Sequence, residues 1–364
     1  MRNSTPAQHP NATQDHSNSS WLLRAYSAVL SRVMALWSRV SAFFSAPAAA
    51  IPQPTRIQHK SLPLPYDVMG PLGINSFLDP KDVAALICSK EQHRLLQPDL
   101  DGLKLLRFVV RGEQEKADGL LTIHPELLLK RGTITDYSGR TFKNITAYEY
   151  AYWAKDTHMC RMLERHMDAN TATIMHQRCL DIDKNGLTYE QRGVVIEHSR
   201  HFDLTSLKSA LHDYVDGYDN WLATRDLPAM EAAWMAVGMA QRDVPVHVAN
   251  EYCRSDRSFL PRPAFNEETL PRNLKFYNYN TGCEASWFPL VVSASSGLGV
   301  DFALIRPWWM GRGAAGGARR GVAWSTVDLA AVSRLDEVRT IDLTQSRENL
   351  TLISRELGIG RPGM

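Results

Sequence analysis

No Cys-x-x-Cys pair occurs in this sequence, and its five cysteines (Cys88, Cys160, Cys179, Cys253 and Cys283) lie far apart. A sparse, odd set argues against a disulfide framework and against cysteine-built zinc ligation, so all five are expected as free thiols. Neither sign of charge dominates. The formal net charge is +2 at pH 7, and nothing global demands nucleic acid. Hydrophobic residues make up 44% and charged residues 22% of the chain, which rules out collagen, coiled-coil arrays and wholesale disorder. The length of 364 residues suits two or three folded units, or one large domain with appendages.

The even balance hides a segregation. Residues 1–60 hold Arg2, Arg24, Arg32, Arg39, Arg56 and Lys60 against one acid, Asp15, a net of +5 that leaves −3 for the rest. Residues 1–20 are dominated by Ser, Asn, Thr, Gln, Pro and His, a composition too polar to offset chain entropy, and are expected to be disordered. A basic amphipathic helix is expected over 21–46. At about 100° per residue, Trp21, Leu22, Tyr26, Val29, Val33, Leu36, Trp37, Val40 and Phe44 form its apolar side, and Arg24, Arg32 and Arg39 its polar side. No acid interrupts it. Pro47 stops the helix, and a proline-rich linker follows over 47–64.

Five readings compete for this helix. Its arginines argue against a membrane span. A secretory signal carries its basic end first, whereas these arginines lie inside the apolar stretch. An organelle transit peptide and a helix packed on its own protein body are further readings. Docking at an anionic membrane surface fits best, with aromatics entering the interface and arginines meeting headgroups.

The expected fold class is mostly α, built from helical hairpins, with a smaller irregular α+β region near the C-terminus. A helical domain is expected over 65–260. An irregular α+β region follows over 261–345, with a flexible Gly/Arg loop at 311–321, then a C-terminal helix and tail over 346–364. Asp79 and Pro80 read as a helix start. Helical patterns continue through residues 103–129 and 171–240, and short β-like runs lie at 275–279, 287–292 and 300–305.

Asp136-Tyr-Ser-Gly139-Arg-Thr141 reads as a turn, Thr146 as a helix cap, and Lys155 to Thr157 as a break before a stripe of Met159, Met162, Leu163 and Met167. This stretch resembles a degenerate ankyrin-type hairpin, and LLRFVVRGEQEKADGLL resembles the second half of such a unit. The resemblance covers about two units, residues 103–168, and implies stacked hairpins with a shared buried face. The Ser/Asn/Thr/Gln-rich start and the helix after it resemble those of effectors that pathogenic bacteria inject into host cells. That likeness extends to VPVHVANEYCRSDRSF, LPRNLKFYNYNTG and SSGLGVDFAL, and implies a host protein as partner.

Candidate chemistry is sparse. Asp181-Ile-Asp183-Lys-Asn185-Gly186 opens like a calcium-binding loop, but Arg192 stands where a bidentate Glu is needed. His198 and His201 could share a helical face yet lack further ligands, so no metal site is expected. His247, Cys253 and Asp256 raise a thiol-nucleophile reading, without a sign of an activated thiolate. Gly297 and Gly299 make half of a dinucleotide fingerprint, with Phe302 in place of the last Gly. Trp308, Trp309 and Trp324 around the Arg306–Arg320 stretch suggest stacking on single-stranded nucleic acid, but so few arginines in a near-neutral chain favour a solvated loop.

LVVSASSGLGVDFAL followed by VSRLDEV resembles the Ser-x-Ser strand and late catalytic Glu of ADP-ribosyltransferases. The resemblance implies NAD as cofactor, Ser293 and Ser295 ordering its site, Arg254 upstream, and Glu337 stabilising positive charge at the ribose carbon. Leu335 stands where that motif has a second Glu. The leading expectation is a secreted, host-membrane-associated protein acting on a host protein without a cofactor and without nucleic acid. The alternatives are an NAD-using transferase in the C-terminal third, and a helical protein of the bacterial cytoplasm.

Overall fold

The computed structural model describes residues 90–278, 283–288, 303–305, 314–315 and 322–359. The chain divides after Leu62 into two units, and every described residue lies in the second. The expected disordered start, amphipathic helix, linker and Asp79 cap therefore lie outside the described residues, as do Ser293, Ser295, Gly297 and Gly299.

The described residues are mostly helical, with nine α-helices and two small sheets. Helices α1 (Lys90–Val110) and α2 (Gln114–Ile123) lead through a 3-10 turn, Pro125–Leu129, into strands β1 (Gly132–Thr135) and β2 (Arg140–Ile145). Three short-to-medium helices follow: α3 (Ala147–Trp153), α4 (Thr157–Glu164) and α5 (Ala169–Asn185). Strands β3 (Leu187–Gln191) and β4 (Val194–Ser199) complete an antiparallel sheet in the order β1-β2-β3-β4. Next come α6 (Thr205–Thr224), α7 (Leu227–Arg242) and α8 (Val246–Cys253). Strands β5 (Lys275–Asn278), β6 (Cys283–Ser286), β7 (Leu304–Ile305) and β8 (Ala314–Ala315) form the second sheet, ordered β6-β5-β8-β7 with β5 and β8 parallel. Helix α9 runs from Val322 to Ile359.

Local chemistry explains the joints. Asp136 Oδ1 accepts hydrogen bonds from the backbone N–H groups of Ser138 and Arg140, each at 2.9 Å, and Gly139 takes a φ of 80° to close the β1–β2 turn. Thr146 and Glu149 form a reciprocal capping box that starts α3. Asp156 and Asp168 cap α4 and α5 by accepting from Met159 N–H and Thr171 N–H. Thr146→Ala removes one half of the box and is expected to lower stability by about 1 kcal/mol, read as a shift of the urea midpoint with an unchanged slope.

Two apolar clusters form the core. The first joins α1 to α5 and the first sheet around Trp153, whose ring meets Phe142, Tyr150, Tyr189 and Phe202. The second joins α6 to α8, the coil after α8 and the second sheet around Trp234, Tyr252 and Trp287. Helix α9 serves both, giving Leu335 and Val338 to the second cluster and Leu343 and Leu350 to the first.

Three expectations need correction. The 171–240 stretch is not helical throughout, because β3 and β4 form a hairpin inside it. Arg192 and Gly193 take φ of 52° and 79°, the pair of positive values that a tight hairpin turn requires. The calcium-like run is no loop: Asp181 to Asn185 are the last turn of α5 and Gly186 (φ 72°) ends it. Helix α9 begins at Val322, inside the region expected to be irregular, and continues unbroken past residue 346. Its buried stripe includes Ser325, Asp328, Arg339 and Ser346, so its apolar period is faint in the sequence.

The ankyrin-like stretch folds as a β-hairpin followed by α3 and α4, with the break at Lys155 (φ 60°). Its hairpin is extended by β3 and β4 into a four-stranded sheet. The segment is thus woven into a mixed body instead of stacking as a repeat.

Candidate functional site

All eight residues of α8, Val-His-Val-Ala-Asn-Glu-Tyr-Cys, are buried. Such a helix places His247, Asn250 and Glu251 in the interior, where polar groups need partners. The coil after α8, the N-terminus of α4 and the middle of α9 supply them.

Glu251 is the hub. Its carboxylate meets Arg339 Nη2 at 3.1 Å, Arg257 Nη2 at 2.6 Å and Arg254 Nη1 at 3.7 Å. Arg339 also donates to the Phe265 carbonyl and to Asp342. Arg254 forms a bidentate pair with Asp256, and Glu267 stands 3.5 Å from Arg254 and 3.0 Å from Arg257. Burial raises the Glu251 pKa, and the three guanidinium groups oppose that shift. Asp256 is held down to about 2, chiefly by its hydrogen bonds from Arg254.

A second group adjoins the first. Arg272 grips both oxygens of Asp156 at 2.7 and 2.9 Å, and donates to Gln114 Oε1 and Asn250 Oδ1. Burial alone would raise the Asp156 pKa, but the charge and hydrogen bonds of Arg272 win and hold it far below the usual carboxylate range. His158 and His247 are buried beside this pair and titrate near 3, because burial disfavours the imidazolium and Arg339 adds repulsion. His158 Nε2 donates to the Glu267 carbonyl, while Nδ1 of each ring has no hydrogen-bond partner among the described residues.

The constellation spends its charge internally. It clamps the 254–274 coil between α4, α8 and α9, and neutral imidazoles fill the gap. Sequence reasoning reaches Arg254, His247 and Asp256 but misses Glu251, Glu267, Arg272 and Arg339. The alternation of acids and arginines in EYCRSDRSF, next to an apolar helix, is the signal that could have found them.

The described residues among those expected to carry chemistry are dispersed. Glu337 lies on the outside of α9, paired with Arg334 at 2.7 Å. Arg254 is buried among Glu251, Asp256 and Glu267. The structure therefore gives Glu337 and Arg254 separate partners. His247 and Cys253 stand six residues apart on one helix, about 240° round its axis, and do not face each other. His198 lies on β4 and His201 just beyond it, not on a helix; they bond to the Asn185 carbonyl and to Asp183 respectively. No group of ligating side chains suited to a metal ion occurs among the described residues. Cys160 and Cys179 are buried free thiols, and burial pushes the pKa of both well up. No helix among the described residues is long and apolar enough to cross a membrane.

Comparison with known proteins bears on the same residues. The family described as the CBUA0006 C-terminal domain matches residues 206–350, which span α6 to α9 and the whole Glu251 hub. A curated relative from Coxiella burnetii (strain RSA 493 / Nine Mile phase I), described as uncharacterized protein CBUA0006, is 42% identical over 261 residues, covering 67% of this chain and 74% of the relative. No solved structure matches. With identity of that order across most of both proteins, the chain belongs to the CBUA0006 family.

Proposed function

We propose that the protein is a secreted, effector-like interaction protein that docks on an anionic membrane of the host and engages a host protein there. One observation carries the reading: residues 21–46 hold an apolar side of Trp21, Leu22, Tyr26, Val29, Val33, Leu36, Trp37, Val40 and Phe44, with Arg24, Arg32, Arg39 and no acid. That pattern is the chemistry of an interfacial helix. The body supports a scaffolding role, since its buried ions bind one another across α4, α8 and α9.

Flotation of the full chain with phosphatidylserine-containing vesicles tests the reading. The protein is expected to float, and Arg24, Arg32 and Arg39 changed together to Gln should weaken binding by roughly 3 kcal/mol, about 1 kcal/mol for each arginine. Raising salt should do the same to the parent chain. Equal flotation of the parent and a Val33→Glu/Trp37→Glu variant overturns the proposal.

A further inference from the structure

Helix α7, Leu-Pro-Ala-Met-Glu-Ala-Ala-Trp-Met-Ala-Val-Gly-Met-Ala-Gln-Arg, has Glu231 and Arg242 as its charged residues. Its inner side is Met230, Trp234, Val237, Gly238 and Gln241, all buried. At about 100° per residue the opposite side carries Pro228, Ala232, Met235, Ala236 and Met239. Pro228, Ala232 and Met239 are exposed, and Leu222 and Leu227 carry the apolar surface across the α6–α7 turn, 54% and 37% exposed. A helix that is apolar all round ordinarily lies inside a protein. Here its principal neighbour is α6, and its outer side faces solvent.

The surroundings select what would cover it. Asp213, Asp216 and Asp219 are exposed on α6, Asp226 in the turn and Glu231 on α7. His212 stands 3.2 Å from Asp216 and Arg225 is exposed in the turn beside Asp226, while Lys208 is turned toward Asp336 and Arg242 toward Asp243. Acids therefore outnumber the cations near the ridge. An apolar ridge beside that excess repels an anionic membrane, and a second copy would bring the same acids together. A helix with an apolar stripe and basic flanks satisfies both features, and methionine with alanine makes an adaptable seat for such a stripe.

We infer that the outer face of α7 is a docking site for a basic amphipathic helix of a partner protein. The partner's apolar side chains cover Ala232, Met235 and Met239, and its Lys or Arg side chains meet the α6 and α7 acids. The surface lies within the residues shared with the CBUA0006 C-terminal domain. This deepens the interaction reading and rests on it, while membrane docking through residues 21–46 stands or falls separately in flotation.

The test is fluorescence anisotropy of the full chain with a labelled 18-residue Leu/Lys amphipathic peptide. Saturable binding is expected, weakened at least tenfold by Met239→Asp and by Ala232→Asp, with unfolding midpoints confirming that both variants fold. Asp216→Asn/Asp219→Asn should flatten the salt dependence of binding. A Leu/Glu peptide of the same spacing should not bind. Absent binding, unchanged binding in both Asp variants, or equal binding of the Leu/Glu peptide overturns the inference. So does self-association of the parent chain that Met239→Asp abolishes, which makes a second copy the occupant, or loss of vesicle flotation in Met239→Asp, which makes it lipid.

Discussion

Arg272→Met is expected to destabilise the protein by about 3–5 kcal/mol, because it strands the Asp156 carboxylate in the interior without its cation. The two side chains are 13% and 8% exposed, so water cannot replace the lost contacts. Gln114 and Asn250 lose a donor in the same step. The pH dependence follows from the direction of the Asp156 shift. A carboxyl whose folded pKa is depressed contributes stability above its unfolded pKa, near 3.9, and loses it as pH falls through the folded value. The penalty of the substitution should therefore be largest at neutral pH and shrink in acid, where a lone Asp156 protonates. Asp156→Asn/Arg272→Met should recover more than half of the loss, since the introduced amide keeps an oxygen for the Met159 N–H that starts α4. Urea unfolding of the parent, both single variants and the double variant measures the coupling. A single-variant loss under about 1 kcal/mol sinks the idea that this pair is buried and unscreened.

Acid should weaken the fold through the imidazoles of His158 and His247. Both rings are buried and titrate near 3 in the folded protein, against about 6.5 when unfolded. The unfolded chain thus binds more protons between those values, so stability declines as pH falls from about 6.5 toward about 3. At pH 5 each ring accounts for about 2 kcal/mol, or about 4 kcal/mol for the pair. Asp136, Glu164 and Glu251 act in the opposite sense. Burial raises their pKa values, so they add stability as pH falls through the folded value. The difference between the parent and a His158→Gln/His247→Gln variant isolates the histidines. That difference, taken from unfolding at pH 7 and pH 5, should change by several kcal/mol. An unchanged difference shows that the two rings are hydrated or already charged.

Much of the fold is legible in the sequence because short-range chemistry leaves marks. The Asp136–Thr141 turn, the Thr146 cap, the Lys155 break and the strand at Lys275 all appear where turn, capping and alternation signals place them. The β3–β4 hairpin escapes such a reading although Arg192-Gly193 marks its turn, because β4 exposes Val194 and Val195 side by side and loses the alternation that β3 keeps. Helix α9 shows its Leu/Val period from Asp328 onward, but its start and its continuity across residues 345 and 346 are masked by a buried stripe that carries Arg339, Asp328 and two serines. Arg339 looks like a surface residue until Glu251 and Phe265 are placed beside it.

Composition and periodicity by themselves determined the helical class and the basic, acid-free stretch at 21–46, since each depends on residues close together in sequence. Only the tertiary structure decided that Arg254 pairs with Glu251, Asp256 and Glu267, that Glu337 pairs with Arg334, and that α7 keeps an apolar side outward. The Arg339–Glu251 contact that anchors the same hub joins residues 88 apart. Whether a charge is spent or free, and whether an apolar side is covered, is a property of the neighbours that folding brings to it.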